Sequence, residues 1–180
     1  PKRSDIDIAI ANISIVKDRE KKYGILFTEP YFETTLGIIG KRYALEQFKN
    51  RAIRDLRIGA IKNTTAEMFY LNTLMDKHKL AIKDNLTSYK DNITMFSDLS
   101  NNEIDLVLYD YIRGIVEVEN KTNWALEAVS IAEFGVSPEM YGITVSNEDP
   151  DLKGYLDKII LSNTKEIALL KTKYKINIQD

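Results

Sequence analysis

Residue types that bind charged groups follow apolar runs at two points of the chain. Arg19 comes soon after the alternating segment Asp5 to Ile15, and Thr64 and Thr65 follow the apolar segment Arg57 to Ile61. A guanidinium can hold a carboxylate with two parallel N–H donors. Threonines at the start of a helix add hydroxyl donors to unpaired backbone N–H groups, which favour an anion. These residues therefore predict groups that bind a carboxylate.

A carboxylate at the end of another apolar run supplies the opposite charge. Asp110 closes the segment Ile104 to Tyr109, and an aspartate in a dry cleft can hold an ammonium group. A small molecule that carries both a carboxylate and an ammonium group is a free amino acid. The polar segments Asn12 to Arg19, Asn63 to Thr65 and Asp110 therefore predict recognition of an amino acid, without catalysis.

Each of these residues also has a purely structural interpretation. Asp110 could cap the helix that follows it. Thr64 and Thr65 could cap the next predicted helix, with Glu67 as the reciprocal partner of a capping box. Arg19, within a cluster of charges, could be a solvated turn residue. Capping and ligand binding are compatible, because backbone N–H groups can serve the ligand while the side chain caps.

The composition is that of a water-soluble globular protein, and it excludes several classes of function. The 180 residues are 44% apolar and 29% charged, and 25 basic and 27 acidic residues leave a formal net charge of −2. This balance provides no broad field for nucleic acid or an anionic membrane. Cysteine is absent and histidine occurs once, which excludes thiolate catalysis and disulfides and limits metal sites. We predict no metal and no cofactor.

The spacing of apolar residues predicts strands that alternate with helices. Strands are expected at Asp5 to Ile15, Tyr23 to Phe27, Thr34 to Ile39, Arg57 to Ile61, Leu80 to Ile82, Ile104 to Tyr109, Trp124 to Ile131 and Gly142 to Val145. Helices are expected from Asn63 to Met75, Tyr89 to Leu99, Tyr111 to Val118, Pro150 to Leu161 and Thr164 to Tyr174, and a charged turn at Lys17 to Lys22. This alternation is typical of an α/β fold with a mainly parallel sheet, which binds ligands outside the carboxyl ends of its strands.

Five segments, in this order, resemble the type II periplasmic amino-acid-binding proteins, the polar amino acid branch of the bacterial solute-binding families. They are Asp7 to Ile15 followed by Arg19, Phe27 to Phe32, Ile58 to Thr65, Glu103 to Asp110, and Tyr141 to Val145 with Asp149 to Leu152. The third is similar to the family's glycine-threonine-threonine loop, and the fourth to the family strand that ends in aspartate. The match extends over nearly the whole chain.

The resemblance implies a fold of two α/β lobes that close around the ligand like a clamshell, the Venus flytrap arrangement. The first lobe would comprise residues 1–32 and 141–180, and the second lobe residues 33–140. Family members begin with a further strand, helix and strand that complete the first lobe. We therefore expect the first lobe of this chain to lack its N-terminal strands.

The resemblance also implies a role for six candidate residues. They are Asn12, Ser14, Arg19, Thr64, Thr65 and Asp110. Arg19 would bind the ligand carboxylate from the first lobe with Asn12 and Ser14 beside it, the two threonines would bind it from the second lobe, and the aspartate would bind the ammonium group. Two positions depart from the family, with Val16 in place of threonine and Asn63 in place of glycine. Asparagine tolerates the left-handed backbone conformation, so the loop can keep its shape.

For function, the resemblance implies delivery of the amino acid to the membrane permease of an ABC transporter. The location would be periplasmic or extracellular. A lipid anchor on a segment outside this chain could attach the protein to the membrane. No apolar run reaches the length of a membrane span, and Pro1 to Asp5 lack the apolar core of a signal peptide, so any targeting segment is missing or already removed.

Three further questions stay open at this level. The same cleft could serve as the sensing domain of a membrane kinase or chemoreceptor. It could also belong to a clamshell-fold dehydratase, for which Glu33 or Glu103 would be the candidate acids. The side chain of the ligand is not selected, although Lys62 could reach an acidic one.

Overall fold

The computed structural model describes residues 6–120, 124–132 and 136–173, so the predicted element ends at Asp5 and Tyr174 lie outside the described residues. The chain divides into two compact units. The first unit contains Pro1–Thr34 and Pro138–Asp180, and the second unit is the continuous segment Thr35–Ser137. Along the chain, the second unit is thus inserted into the first.

Each unit contains both strands and helices. The first unit contains β1 (Ile8–Ala9), α1 (Lys17–Tyr23), β2 (Ile25–Phe27), β3 (Phe32–Thr34), β9 (Glu139–Tyr141), β10 (Thr144–Ser146), α6 (Pro150–Ser162) and α7 (Thr164–Lys173). The second unit contains β4 (Leu36–Lys41), α2 (Arg42–Lys49), β5 (Ile58–Ile61), α3 (Thr65–Phe69), a π-helix (Tyr70–Lys77), a 3₁₀-helix (Lys83–Asn85), β6 (Leu86–Tyr89), α4 (Asn92–Ser100), β7 (Leu106–Asp110), α5 (Tyr111–Asn120) and β8 (Leu126–Ser130).

A five-stranded mixed sheet forms the centre of the second unit. Its strands lie in the order β6-β5-β7-β4-β8. β5 is parallel to β6 and to β7, whereas β4 is antiparallel to both β7 and β8. Because β5 and β7 are parallel neighbours, their carboxyl ends lie at the same edge of the sheet.

Both faces of this sheet are covered by apolar side chains. Ile38 and Ile39 are adjacent on β4 and are 1% and 0% exposed, yet they belong to two separate hydrophobic clusters. On β7, the adjacent residues Leu106 and Val107 also belong one to each cluster. Successive strand residues point to opposite faces, so these pairs show that each face packs against its own layer of helices.

The strands of the first unit are short and antiparallel. β10 lies between β1 and β2 in one sheet, and β3 pairs with β9 in another. The buried hydroxyl of Thr28 accepts a hydrogen bond from the backbone N–H of Ile143 (3.0 Å), which ties the end of β2 to the returning chain. At the start of α6, Asp149 Oδ1 accepts a hydrogen bond from the N–H of Leu152 (3.0 Å), as a capping residue does.

Two predictions for the start of the chain are wrong. Among the described residues of the segment Asp5 to Ile15, only Ile8–Ala9 forms a strand, and Ile10 is 65% exposed. Lys17 to Lys22 forms helix α1 and not a turn. Acidic residues lie in the first turn of this helix and basic residues in its last, which complements the helix dipole. Gly24 ends it in the left-handed conformation, with φ of 63°.

The prediction of a mainly parallel sheet is also wrong, because β4 enters the sheet antiparallel and the strands of the first unit are antiparallel. Leu80 to Ile82 does not form a strand. The N–H groups of Leu80 and Ala81 donate to the carbonyl of Leu74 (2.8 and 3.3 Å) and close the end of the π-helix. The strand of this region is β6, and neither β6 nor α2 was predicted.

One ion pair fixes the entry to β5 and provides a test by pH. Arg57 Nη2 and Nε donate to the two carboxylate oxygens of Asp105 (2.8 and 3.0 Å), and the backbone N–H of Arg57 donates to Oδ2 (2.9 Å). Burial alone would raise the pKa of Asp105, but the hydrogen bonds and positive charge of Arg57 outweigh it, and the pKa lies below its ordinary value. The pair therefore stabilises the fold at neutral pH.

We expect Asp105→Asn to lower the melting temperature at pH 7 by about 2–4 °C. This corresponds to about 1 kcal/mol, a low value for a charged hydrogen-bonded pair because the Arg57 side chain is 48% exposed. The stabilisation is lost as pH falls from the ordinary value of 3.8 through the lower pKa of the folded state. Thermal melts of both proteins from pH 7 to pH 2.5 should therefore converge in acid. A difference in melting temperature that stays the same at every pH would contradict this account. So would equal melting temperatures at pH 7.

Candidate functional site

Two of the predicted polar segments lie at one edge of the sheet in the second unit. Asn63 to Thr65 follow β5, and Asp110 is the last residue of β7. β5 and β7 are parallel, with Ala60 opposite Leu108. The structure thus brings the threonine loop and the aspartate to the carboxyl edge of neighbouring strands, where α/β sheets bind ligands.

The loop after β5 is held in shape by hydrogen bonds to its own side chains. Asn63 adopts the left-handed conformation with φ of 61°, as the sequence predicted. Thr64 caps α3: its hydroxyl donates to the carbonyl of Ile61 (2.6 Å) and accepts from the N–H of Glu67 (3.5 Å). Glu67 returns the contact through Oε2, which accepts from the N–H of Asn63 (2.6 Å), one residue before the partner that a capping box predicts.

Glu67 also joins this loop to the neighbouring strand. Its Oε1 accepts a hydrogen bond from the hydroxyl of Ser88 on β6. One carboxylate therefore fixes the residue before the helix and the edge of the sheet together. The first-turn N–H groups of Thr65 and Ala66 have no acceptor one turn earlier in the helix, as at every helix start. Together with the threonine hydroxyls, they can bind an anion.

The backbone conformation of Asn63 predicts which substitutions the loop tolerates. Asn63→Gly should leave the free energy of unfolding nearly unchanged, because glycine adopts a positive φ without strain. Asn63→Val should cost about 1–2 kcal/mol, because a β-branched side chain clashes in this conformation. Urea unfolding of both variants measures the difference. Equal stabilities of the glycine and valine variants would show that the left-handed conformation of Asn63 is not required.

Asp110 caps the helix that follows β7. Its Oδ1 accepts a hydrogen bond from the backbone N–H of Arg113 (2.7 Å), so the predicted capping role is present. The Arg113 guanidinium lies 5.9 Å from the centre of the Tyr109 ring. Burial raises the pKa of Tyr109, which therefore stays a neutral phenol at physiological pH. Asp110 is partly buried, and along the chain it stands between Tyr109 and Arg113.

In the first unit, the structure brings Arg19 and Ser14 together. Arg19 lies on α1, and its Nη1 donates to the backbone carbonyl of Ser14 (3.2 Å). Ser14 is 8% exposed and forms an isolated bridge with Tyr141 of β9. Asn12 is exposed two residues earlier on the same segment. The guanidinium is therefore anchored on the segment that carries the other two candidate residues of this unit.

The hydroxyl of Ser14 contacts a residue that sequence reasoning missed. Its Oγ donates to Oε2 of Glu139 (2.5 Å), whereas the resemblance implies only that Ser14 lies beside the ligand carboxylate. Glu139 is the first residue of β9 and is partly buried. A signal was present, because Glu139 stands two residues before the Tyr141 to Val145 segment of the family. The acceptor of the serine hydroxyl was nevertheless not predictable from local sequence.

The described residues contain neither a membrane-spanning helix nor a metal site. In residues 6–120, 124–132 and 136–173, no helix is long and apolar enough to cross a membrane. The same ranges contain no group of three or more His, Cys, Asp and Glu residues that could hold a metal ion.

Comparison with solved structures identifies the fold. The substrate-binding protein AbpA of an amino acid ABC transporter from Streptococcus pneumoniae, bound to L-arginine, aligns with a TM-score of 0.77 and 21% identity over 98% of this chain and 71% of its own. The GluR0 ligand-binding core in complex with L-glutamate aligns with a TM-score of 0.76 and 20% identity over 94% of this chain and 72% of its own. The chain has the fold of the type II periplasmic amino-acid-binding proteins, and the predicted fold class is confirmed.

A curated relative of similar sequence is also an amino-acid-binding protein by name. ABC transporter arginine-binding protein 1 of Escherichia coli strain K12 is 28% identical over 154 residues, which cover 85% of this chain. The matched part spans 57% of that relative. No protein-family profile matches the chain. The resemblance to amino-acid-binding proteins found in the sequence is thereby confirmed.

Proposed function

We propose that this protein binds a free amino acid through both of its charged backbone groups. The main observation behind this proposal is that Asp110 and the Asn63 to Thr65 loop lie at the same edge of the sheet. The chain that carries them has the fold of amino-acid-binding proteins. An anion-binding loop beside a carboxylate can recognise a carboxylate and an ammonium group. Neutral sugars lack both of these charges, and inorganic oxyanions lack the positive one.

The proposed contacts draw on both units. The loop of Thr64 and Thr65 would donate hydrogen bonds to the ligand carboxylate, and Arg19 would bind it with its guanidinium. Asp110 would accept hydrogen bonds from the ammonium group while its Oδ1 keeps the cap on α5. Ser14 would contribute through its carbonyl, which holds Arg19, and Asn12 would lie at the rim of these groups.

We further propose that the protein delivers its ligand to the permease of an ABC transporter, from a periplasmic or extracellular location. The name of the curated relative supports this role, since it is an arginine-binding protein of such a transporter. We propose binding without catalysis, because AbpA and arginine-binding protein 1, to which this chain is similar in fold and in sequence, are both named as binding proteins. Lobe closure around the ligand and the domain limits predicted from the sequence remain part of this proposal.

A thermal-shift screen of the twenty amino acids tests the proposal. A ligand at one hundred times its Kd stabilises the folded state by about 2.7 kcal/mol, which raises the melting temperature by several degrees. One amino acid, or one chemical group of them, should give this shift. A flat result with protein that is folded by circular dichroism would overturn the proposal.

A further inference from the structure

Glu139 lies beside the group that the proposed function assigns to the ligand carboxylate. Its Oε2 is 2.5 Å from the hydroxyl of Ser14, and the carbonyl of the same serine accepts a hydrogen bond from Arg19 (3.2 Å). Glu139 and Arg19 therefore contact one residue, the first through its side chain and the second through its backbone. A negative and a positive group thus both contact Ser14.

The carboxylate of Glu139 accepts a hydrogen bond from a neutral donor, the hydroxyl of Ser14. Among the described residues, no lysine, arginine or histidine forms an ion pair with it, whereas ion pairs are present at Arg42 with Glu127, Arg57 with Asp105 and Lys153 with Asp157. Glu139 is partly buried in its unit. A carboxylate that is partly removed from water is best compensated by a positive charge.

We propose that Glu139 selects amino acids with a cationic side chain, such as arginine and lysine. This inference rests on the proposed function and names the class of its ligand. Arg19 would hold the α-carboxylate, and Glu139 would accept hydrogen bonds from the guanidinium or ammonium group at the end of the ligand side chain. The α-ammonium group stays with Asp110. An acidic ligand side chain would meet a like charge at Glu139, which selects against it.

The pairing of β3 with β9 provides a matched control on the neighbouring strand. Glu139 lies opposite Thr34, and Glu33 lies opposite Met140. Directly opposed residues of an antiparallel pair share a face, and successive residues alternate between faces. Glu33 is thus a second partly buried glutamate. It lies opposite the residue that follows Glu139, and therefore on the other face of the same two strands.

Calorimetric titration of Glu139→Gln and Glu33→Gln with arginine, lysine and glutamine tests the inference. The unmodified protein should bind arginine or lysine more tightly than glutamine. Glu139→Gln keeps an acceptor for the Ser14 hydroxyl but removes the charge, so it should weaken the two cationic ligands at least about tenfold, as expected for one lost charge pair, and leave glutamine within about twofold. Glu33→Gln should behave as the unmodified protein.

A second variant separates charge from folding. Glu139→Asp keeps the negative charge and should keep a preference for cationic ligands, and the melting temperatures of all variants should be compared without ligand. Equal losses for all three ligands would place Glu139 on a group that every amino acid shares and would overturn the inference. A preference of the unmodified protein for neutral or acidic ligands would also overturn it. If no amino acid binds the unmodified protein, the proposed function itself fails.

Discussion

Asp110→Asn is expected to weaken amino acid binding by about 30- to 4,000-fold while leaving the melting temperature of the ligand-free protein nearly unchanged. Removing one partner of a desolvated charge pair costs about 2–5 kcal/mol, and the variant leaves the ammonium group without its counter-charge. The fold should tolerate the change, because asparagine caps helices as well as aspartate does and can still accept from the N–H of Arg113. Calorimetry and thermal melts measure the two effects separately.

A matched capping residue in the other unit provides the control. Asp149 caps α6 as Asp110 caps α5, with Oδ1 accepting from the backbone N–H three residues later in each case. Asp149→Asn should change neither stability nor binding. Asp110→Ala should lose affinity and, in addition, about 0.5–2 kcal/mol of stability with the cap. Full affinity in Asp110→Asn would limit this residue to capping.

Arg19→Ala is expected to remove most of the affinity, by about 30-fold or more. The reason is the loss of a guanidinium fork, which can bind a carboxylate with two parallel N–H donors. Arg19→Lys keeps the positive charge without the fork, and it should recover part of the affinity and no more. Titration of both variants with the same amino acid gives the comparison.

An exposed cation on the same helix controls for charge alone. Lys17 is exposed at the first position of α1, and Lys17→Ala should leave the Kd within about twofold, as is usual for an exposed charge. Arg19 also anchors its helix through the carbonyl of Ser14, so the melting temperature of each variant must be measured without ligand. Unchanged affinity in folded Arg19→Ala would exclude this residue from the site.

The parts of the site that follow a strand directly could be predicted from the sequence. The apolar run Ile58 to Ile61 and the polar residues after it lie within a few positions of each other, and so do β7 and Asp110. Local patterns of this kind determine where a strand ends and a helix begins. They do not determine which strands pair. The antiparallel entry of β4 between β7 and β8 joins residues far apart in sequence, and the prediction of a mainly parallel sheet missed it.

Glu139 shows the same limit for a side chain. It contacts Ser14 across a sequence separation of 125 residues, and no spacing within either segment predicts that contact.

Helix α1 was missed for a different reason. Its residues Lys17 to Lys22 are all charged, so the apolar periodicity that reveals a helix is absent, and its charge order and the left-handed Gly24 carry the signal instead.

The central claim is that the protein recognises the carboxylate and the ammonium group of a free amino acid together. It is tested most directly by calorimetric titration with the amino acid that gives the largest thermal shift, alongside its α-amide and its Nα-acetyl derivative. The amide lacks the carboxylate charge and the acetyl derivative lacks the ammonium charge, while both keep the side chain. We predict that each derivative binds at least about 30-fold more weakly than the free amino acid. Equal binding of either derivative would contradict recognition of the corresponding charge and, with it, this account of the site.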